Sequence, residues 1–285
     1  MKFKAQETTL VLITFLWGAT FLVTRIGVSQ GGPFGFLLLR FASGVAVLAC
    51  LILADWNKFT RQEIRRGALL GCILFASYGL QTVGLRTVSS GKSAFITSLY
   101  VPMVPIIQWL WFGQRPRVAA WVGVALAAVG LALLSTESGM TFTFDQGEWL
   151  TLGSAVAITF EILLIGRWSP GLDPRRWALC QMTTVAALSF AAILLVHEPT
   201  PTFSPRLLTC AIGLGVVTGA IQVGMNWAQK SVSPTRATLI YALEPVWAGL
   251  IGWFAGESLT PLNILGAGLI VAGLLSSHWM PDRMS

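Results

Sequence analysis

Charged side chains are scarce in this chain. They make up 11% of its 285 residues, whereas hydrophobic residues make up 54% and the mean hydropathy is +0.71. A water-soluble domain carries roughly 25% charged residues, so this chain lacks the charge to cover a surface that faces water. The composition excludes an ordinary soluble protein and indicates an integral membrane protein, with the lipid bilayer as its first partner.

Residue types that build metal and catalytic centres are also scarce. The chain has two histidines and four cysteines, and the cysteines fall inside apolar runs without paired spacing. It has no His-Glu-x-x-His sequence, no pair of mid-span aspartates and no glycine-rich phosphate loop. We therefore predict no metal, no cofactor and no enzymatic activity, and nothing in the sequence supports ATP-driven pumping.

Long apolar runs fill nearly the whole chain. A helix of about 20 apolar residues crosses the hydrocarbon, and these runs are too solidly apolar for membrane β-strands, so we predict an all-α integral membrane protein with ten transmembrane helices. The basic residues lie between the runs and not in one patch, so the net charge of +7 does not indicate nucleic acid as a partner. The predicted spans are 8–27, 33–54, 66–86, 90–112, 118–135, 148–167, 175–196, 206–229, 233–254 and 260–279.

The basic residues also predict the orientation of the chain. With the N-terminus in the cytoplasm, fourteen Lys and Arg residues fall on the cytoplasmic side and four on the other side, and Arg40 stays inside a span. Basic residues concentrate in the cytoplasmic loops of membrane proteins. We therefore predict a multi-pass protein with both termini in the cytoplasm.

An internal repeat divides the chain into two halves. The fourth and ninth spans align at a shift of 143 residues, which pairs Pro102 with Pro245 and brings three pairs of glycines into register. Because each half has five spans, an odd number, the second half enters the membrane from the opposite side. This is the inverted-topology repeat of many secondary transporters. We predict one five-helix repeat over 1–140 and the inverted one over 141–285.

Short motifs in both halves resemble those of a known carrier family. They include "FLWGATF" in the first span, "LLLRFASG" in the second and "FAGESLTPLNILGAGLIVAGLL" near the end, together with the paired prolines. Over nearly its whole length the chain resembles the ten-helix carriers of the drug/metabolite transporter superfamily, EamA type. Within that superfamily it is most similar to bacterial inner-membrane exporters of aromatic amino acids. The resemblance implies an inner-membrane location and export of amino acids or related small metabolites.

The stretch "TLIYALEPVWAGLIGWF" places Glu244 and Pro245 in the middle of the ninth span. Proline removes a backbone donor and bends a helix, so we predict kinks at Pro245 and at Pro102. A mid-membrane acid needs a partner or a water-lined cavity, yet the equivalent residue of the first half is Val101. Two roles are open for Glu244: a hydrogen bond that holds a neighbouring helix, which we favour, and proton transfer.

Glu161 and Arg40 are the other charges that lie inside predicted spans. Pairing of Glu161 with Arg40 or Arg167 would lower the cost of burying both charges. Alternatively, Glu161 is a carboxylate that couples transport to protons. The sequence leaves these two roles open.

Polar and aromatic residues recur at intervals of three or four on several spans. Such spacing puts them on one helix face, and because lipid would reject that face, we predict that they point inward and line a wet cavity. Hydrogen bonding between helices is the alternative. The predicted solute-binding residues are Trp17, Tyr78, Gln81, Tyr100, Gln222, Asn226, Tyr241 and Trp247.

Aromatic walls with a few amides and hydroxyls suit an amphipathic solute. Together with the resemblance, they predict a secondary transporter that exports amino acids, aromatic or other neutral ones, by alternating access, with protons as a candidate second partner. A drug or lipid transporter of the same fold is one alternative. An intramembrane enzyme that acts on a lipid-linked substrate is the other.

Overall fold

The computed structural model describes residues 4–136, 145–199, 203–254 and 260–278. Regular structure within these residues is entirely helical, with one short 3-10 helix at Leu53–Lys58. The α-helices of this part of the chain are α1 (Ala5–Gly31), α2 (Pro33–Leu51), α3 (Arg61–Gly84), α4 (Ser90–Thr97), α5 (Tyr100–Phe112), α6 (Val118–Thr136), α7 (Gln146–Trp168), α8 (Pro174–Leu195), α9 (Pro205–Ala228), α10 (Pro234–Tyr241), α11 (Glu244–Phe254) and α12 (Pro261–His278).

Capping side chains and prolines mark where many of these helices begin. At the start of α3, the Thr60 hydroxyl accepts the Glu63 N–H at 3.1 Å, and the Glu63 carboxylate accepts the Thr60 N–H at 2.8 Å. Proline occupies the first turn of α2, α8, α9 and α10, where its missing N–H has no partner to lose. These local signals set the helix starts between short loops.

The helices correspond to the ten predicted spans. By length and composition, seven spans can cross a membrane as continuous apolar segments: α1, α2, α3, α4 with α5, α7, α8 and α9. Helices α6 and α12 are shorter apolar helices, and the remaining span is divided into α10 and α11. The structure thus confirms the predicted all-α membrane fold.

Two spans are interrupted at equivalent positions of the two halves. Residues 98–99 separate α4 from α5, and residues 242–243 separate α10 from α11. The first interruption lies three to four residues before Pro102 and the second two to three residues before Pro245, the two predicted kink prolines. Because proline has no N–H to donate to the carbonyl four residues earlier, the helix loses a hydrogen bond at this point in both halves.

Tight turns are present at both interruptions. The Val101 N–H donates to the Ser98 carbonyl at 2.9 Å, and the Leu243 N–H donates to the Ile240 carbonyl at 3.0 Å. Both are bonds between residues three apart, as in a 3-10 turn. The predicted kinks are therefore full interruptions, each with a short 3-10-like turn.

Helix packing repeats when the two halves are exchanged. Helices α1, α2 and α3 of the first half correspond to α7, α8 and α9 of the second. Both α1 and α2 pack against α9, and in the same way both α7 and α8 pack against α3. Helices α4 and α5 pack against α7, just as α10 and α11 pack against α1. The two halves are thus related by an approximate two-fold axis.

Helices α6 and α12 show that this relation is inverted. A Cβ atom added to Gly123 would lie 2.7 Å from the Gly273 carbonyl oxygen, and one added to Gly130 would lie 2.5 Å from that of Gly266. The start of α6 thus meets the end of α12, so these equivalent helices are antiparallel and the halves enter the membrane from opposite sides. Only glycine allows so close an approach of two backbones. The predicted boundary at 140/141 lies outside the described residues and stays a prediction.

Candidate functional site

A cavity lies beside both interruptions, between helices of the two halves. About 50 Å³ of it is open to the centres of water-sized molecules, which is room for a few waters at roughly 10–15 Å³ each. The residues that line it are Trp17, Thr20, Thr24, Arg40, Ser77, Tyr78, Gln81, Thr97, Tyr100, Ile158, Glu161, Met225 and Glu244. The structure therefore brings four of the eight predicted solute-binding residues and all three predicted intramembrane charges to one cavity.

Arg40 enters the cavity from α2 and is held by neutral groups. Its Nε donates to the Thr218 hydroxyl at 2.9 Å and its Nη1 to the Thr24 hydroxyl at 3.3 Å. The centre of the guanidinium lies 4.8 Å from the centroid of the Tyr78 ring, a cation–π distance. Among the described residues Arg40 forms no ion pair, so the pairing with Glu161 that we considered is not formed.

Glu161 is attached instead to a cluster of buried amides. The Gln222 Nε2 donates to Glu161 Oε1 at 3.1 Å and to Gln181 Oε1 at 3.2 Å, and the Asn226 Nδ2 donates to Gln181 Oε1 at 3.3 Å. Gln222 and Asn226 are almost wholly buried and do not line the cavity. The prediction placed both at the solute, but in the structure Gln222 supports Glu161 and Asn226 supports the cluster.

Glu244 lines the cavity from the first turn of α11 and is 6% exposed. Its side chain has no hydrogen bond or ion pair to any described residue, which contrasts with every other acid that the structure buries in this part of the chain: Glu7, Glu63, Glu148 and Glu161. The hydrogen bond to a neighbouring helix that we expected of a structural role is therefore not formed. The side chain of Glu244 instead faces the cavity that it lines.

The aromatic residues divide into a lining group and a supporting group. Trp17, Tyr78 and Tyr100 line the cavity. Tyr241 is fully buried behind Trp17, with ring centroids 5.0 Å apart, and its hydroxyl accepts a hydrogen bond from Gln229 at 3.0 Å. Tyr241 therefore supports the cavity wall without forming its surface.

Trp247 lies away from the cavity. Its Nε1 donates to the Thr14 hydroxyl at 3.0 Å, and its ring packs edge-on against Phe15 at 5.8 Å. These contacts tie α11 to α1. The prediction that Trp247 binds solute is not reflected in its position.

Sequence reasoning missed Thr20, Thr24, Ser77 and Gln181. Trp17, Thr20 and Thr24 are spaced by three and four residues, so the same face rule would have found the two threonines. Gln181 is a single amide in an otherwise mixed span, and no spacing signal identifies it. Within the described residues, no group of His, Cys, Asp and Glu is arranged to hold a metal ion.

Several ion pairs between described residues connect the halves, among them Arg176 of α8 with Glu63 of α3, and two pairs outside the cavity are related by the repeat. Lys92 of α4 pairs with Glu148 of α7, and Arg236 of α10 pairs with Glu7 of α1. The sequence repeat aligns Lys92 with Arg236, and α1 is the counterpart of α7, so exchange of the halves converts one pair into the other. Because the repeat is inverted, the two pairs lie toward opposite ends of the bundle.

Two inverted five-helix repeats that enclose a polar cavity, with one interrupted span from each half beside it, define a multi-pass membrane transporter. The comparison with known families agrees. The sequence pattern of the EamA-like transporter family matches residues 6–136 and again 145–277, and the chain belongs to this family.

Relatives match over most of the chain. An "Uncharacterized transporter" of Archaeoglobus fulgidus is 31% identical over 267 residues, 93% of this chain and 83% of the relative. The "Uncharacterized inner membrane transporter YedA" of Escherichia coli K12 is 28% identical, over 92% of this chain and 87% of its own length. A solved crystal structure with 19% identity superposes with a TM-score of 0.78, covering 97% of this chain and 98% of that one, and supports the fold alone.

Proposed function

We propose that this protein is a secondary transporter that exports amino acids, aromatic or other neutral ones, and related small metabolites. The observation that carries the proposal is the composition of the cavity wall, which combines the rings of Trp17, Tyr78 and Tyr100 with hydroxyl, amide and charged groups. Rings give contact area to an apolar side chain, and a few placed polar groups orient the rest of a small solute. Such a wall suits an amphipathic amino acid better than a wholly apolar lipid chain.

The two ion pairs that the repeat relates to each other support an alternating-access cycle. We propose that the Glu7–Arg236 pair closes the end of the cavity nearer the N-terminus and that the Glu148–Lys92 pair closes the opposite end. Each pair joins an interrupted span to the other half. Release of one pair would let its interrupted span move while the other end stays closed, so the solute would meet one side of the membrane at a time.

Proton coupling is proposed through Glu244. A carboxylate inside the membrane that faces a cavity is a proton-binding group unless a fixed partner neutralises it, and Glu244 has no such partner among the described residues. Glu161 supports the proposal less well, because Gln222 already donates a hydrogen bond to it. Gln222 and Asn226 are assigned a supporting role in this scheme, as are Tyr241 and Trp247.

A bacterial inner-membrane location with both termini in the cytoplasm is part of the proposal. It is supported by the excess of basic residues on the N-terminal side and by the name of the Escherichia coli relative, an inner membrane transporter. In a cysteine-free background, Pro199→Cys is expected to react with an impermeant thiol reagent applied to intact cells, whereas Asn57→Cys is not. Pro199 is exposed in a loop, and Asn57 is exposed on the short 3-10 helix between α2 and α3. The reverse labelling pattern would overturn the orientation.

Counterflow in sealed proteoliposomes tests the proposed transport. Vesicles loaded with an unlabelled amino acid are expected to accumulate the same labelled amino acid transiently, with the aromatic members of a twenty-amino-acid panel giving the largest signals. Exchange of labelled lipid or drug without exchange of any amino acid would favour the first alternative. Product formation from a lipid-linked substrate by the detergent-purified protein would favour an enzyme.

A further inference from the structure

Arg40 has hydrogen-bonding capacity that the protein does not fill. The residue is 2% exposed, and two of its three guanidinium nitrogens donate to the hydroxyls of Thr218 and Thr24. Its third nitrogen, Nη2, makes no hydrogen bond to a described residue, yet it is not among the fully enclosed atoms without a partner. The unfilled donor therefore adjoins the space of the cavity that Arg40 lines.

Among the described residues, no acidic group forms an ion pair with Arg40. Glu161 and Glu244 line the same cavity, but neither forms an ion pair with the guanidinium. Leaving a buried cation unpaired costs free energy, and an acid that served only to cancel this charge would contact it. The guanidinium is therefore available to a negatively charged group of a bound ligand.

The guanidinium is nevertheless held in one orientation. The two threonine hydroxyls come from α1 and α9, one helix of each half, and the Tyr78 ring on α3 lies against the guanidinium at 4.8 Å. A planar guanidinium fixed in this way holds its Nη2 donor in place for a charged oxygen acceptor such as a carboxylate. Because its contacts come from both halves, Arg40 also lies where relative movement of the repeats would alter the site.

We propose that Arg40 binds the carboxylate of the transported solute. The inference rests on the proposed function and names the chemical group by which that site recognises its substrate. A singly charged carboxylate fits better than a phosphate, because the cavity holds one cation and two carboxyl groups and would repel a dianion. Tyr78 has a positioning role, since its ring faces the guanidinium.

Three probes separate the carboxylate from the rest of the solute: L-phenylalanine, L-phenylalaninamide, which lacks the carboxylate, and 3-phenylpropionate, which lacks the ammonium group. Dissociation constants are measured by calorimetry on the purified full-length protein. Arg40→Gln is expected to weaken binding of the two acids by about tenfold or more, the scale of a charge-assisted hydrogen bond. Binding of the amide is expected to change less than about twofold, since it makes no bond to Arg40.

Two further variants make the test independent of folding. Arg40→Lys keeps the cation but loses the planar fork, so it is expected to weaken the acids selectively but less than Arg40→Gln, and it decides the question alone if the glutamine variant does not assemble. Arg167→Gln is the matched control, because its guanidinium packs on Phe112 outside the cavity. All three probes are expected to bind this control as they bind the wild type.

Equal weakening of all three probes in the Arg40 variants would assign Arg40 a structural role and overturn the inference. Failure of the wild-type protein to bind either acid would overturn it as well. Selective loss of the acids without counterflow of any amino acid would contradict the proposed function and leave the role of Arg40 standing. Amino acid counterflow with no selective effect of the Arg40 variants would support the proposed function and contradict the role of Arg40.

Discussion

The two interrupted spans share a backbone geometry but differ in chemistry. Both are interrupted shortly before a proline, and both close the interruption with a tight turn. In the first half, the residue before the proline is Val101, which is fully buried in the hydrophobic core. In the second half it is Glu244, which lines the cavity. The repeat has therefore kept the residues that shape the backbone and placed the acid in only one half.

This difference separates two requirements of a carrier. Both halves must be able to bend if the cavity is to open on either side, so both need a proline. A single cavity needs only one proton-binding group, because both halves contribute to the same cavity. If the two requirements are separate, removal of a proline and removal of the acid have different effects on transport.

Removal of either proline is expected to have the largest effect. Pro245→Ala supplies an N–H that can donate to the Tyr241 carbonyl and continue the helix through the interruption. A shift of about 1.4 kcal/mol between the inward- and outward-facing states changes their ratio about tenfold, and we expect solute exchange to slow by at least that factor. Pro102→Ala is expected to match it within about twofold. Initial rates of exchange in proteoliposomes measure both.

Pro105 provides the control for the proline variants. It lies inside α5, and the helix continues through it without interruption. Pro105→Ala is therefore expected to leave exchange nearly unchanged. Equal slowing by all three substitutions would mean that helix stability in general, and not the paired interruptions, determines the rate.

Removal of the acid is expected to have a smaller and different effect. Glu244→Gln keeps the shape of the side chain but cannot release a proton, so we expect exchange within about threefold of wild type and no response to an imposed pH gradient. Glu161→Gln is the comparison, and it is expected to keep the response. Loss of the response in Glu161→Gln alone would move the proton site to Glu161.

Transfer of the acid to the first half sharpens the comparison. Val101→Glu in the Glu244→Gln protein is expected not to restore the response to a pH gradient, because position 101 is enclosed by hydrophobic residues and does not line the cavity. The carboxyl group would instead be buried without a partner and lower the yield of folded protein. Restoration of the response would show that the halves are interchangeable in chemistry as well as in shape.

The smallest expected effect is at Trp247, which lies on the interrupted span but outside the cavity. Trp247→Phe removes the hydrogen bond to Thr14 and is expected to lower the free energy of unfolding by about 1 kcal/mol. Exchange is expected to stay within about twofold of wild type. A thermal melt in detergent and the exchange assay measure the two quantities. A severalfold loss of exchange would return Trp247 to the solute site.

The fold was predictable from the sequence because a membrane restricts the possibilities. Apolar runs give the spans, and glycine and proline in register give the inverted repeat. From the prolines we predicted kinks, but the structure has complete interruptions. A proline alone does not decide between the two, because the residues around it determine whether the helix continues. Pro105, around which α5 continues, shows this directly.

The site was predictable only in part. Spacing shows which residues share a helix face, and the face it predicted for Tyr78 and Gln81 is the one that lines the cavity. It does not show how far each face lies from the cavity, so Gln222 and Asn226 were placed at the surface of a cavity that they support from behind. Depth in the membrane likewise did not show that Arg40 and Glu161 contact different partners, because depth does not fix the direction in which a side chain points.

The central claim is that one cavity opens alternately to the two sides. The most direct measurement is the reactivity of a single cysteine introduced at Ser77, which lines the cavity and is 3% exposed, in a cysteine-free protein reconstituted in sealed vesicles. An impermeant thiol reagent is applied from each side in turn. The reactivity is measured with both ion pairs intact and again in Glu7→Gln and in Glu148→Gln, each of which weakens one pair.

We predict that Glu7→Gln raises the reactivity of the cysteine from the N-terminal side and lowers it from the other side, and that Glu148→Gln does the opposite. Each change is expected to be about fivefold, which corresponds to a bias of about 1 kcal/mol. Changes in the same direction for both variants, or reactivity from one side only in every variant, would contradict alternating access through this cavity.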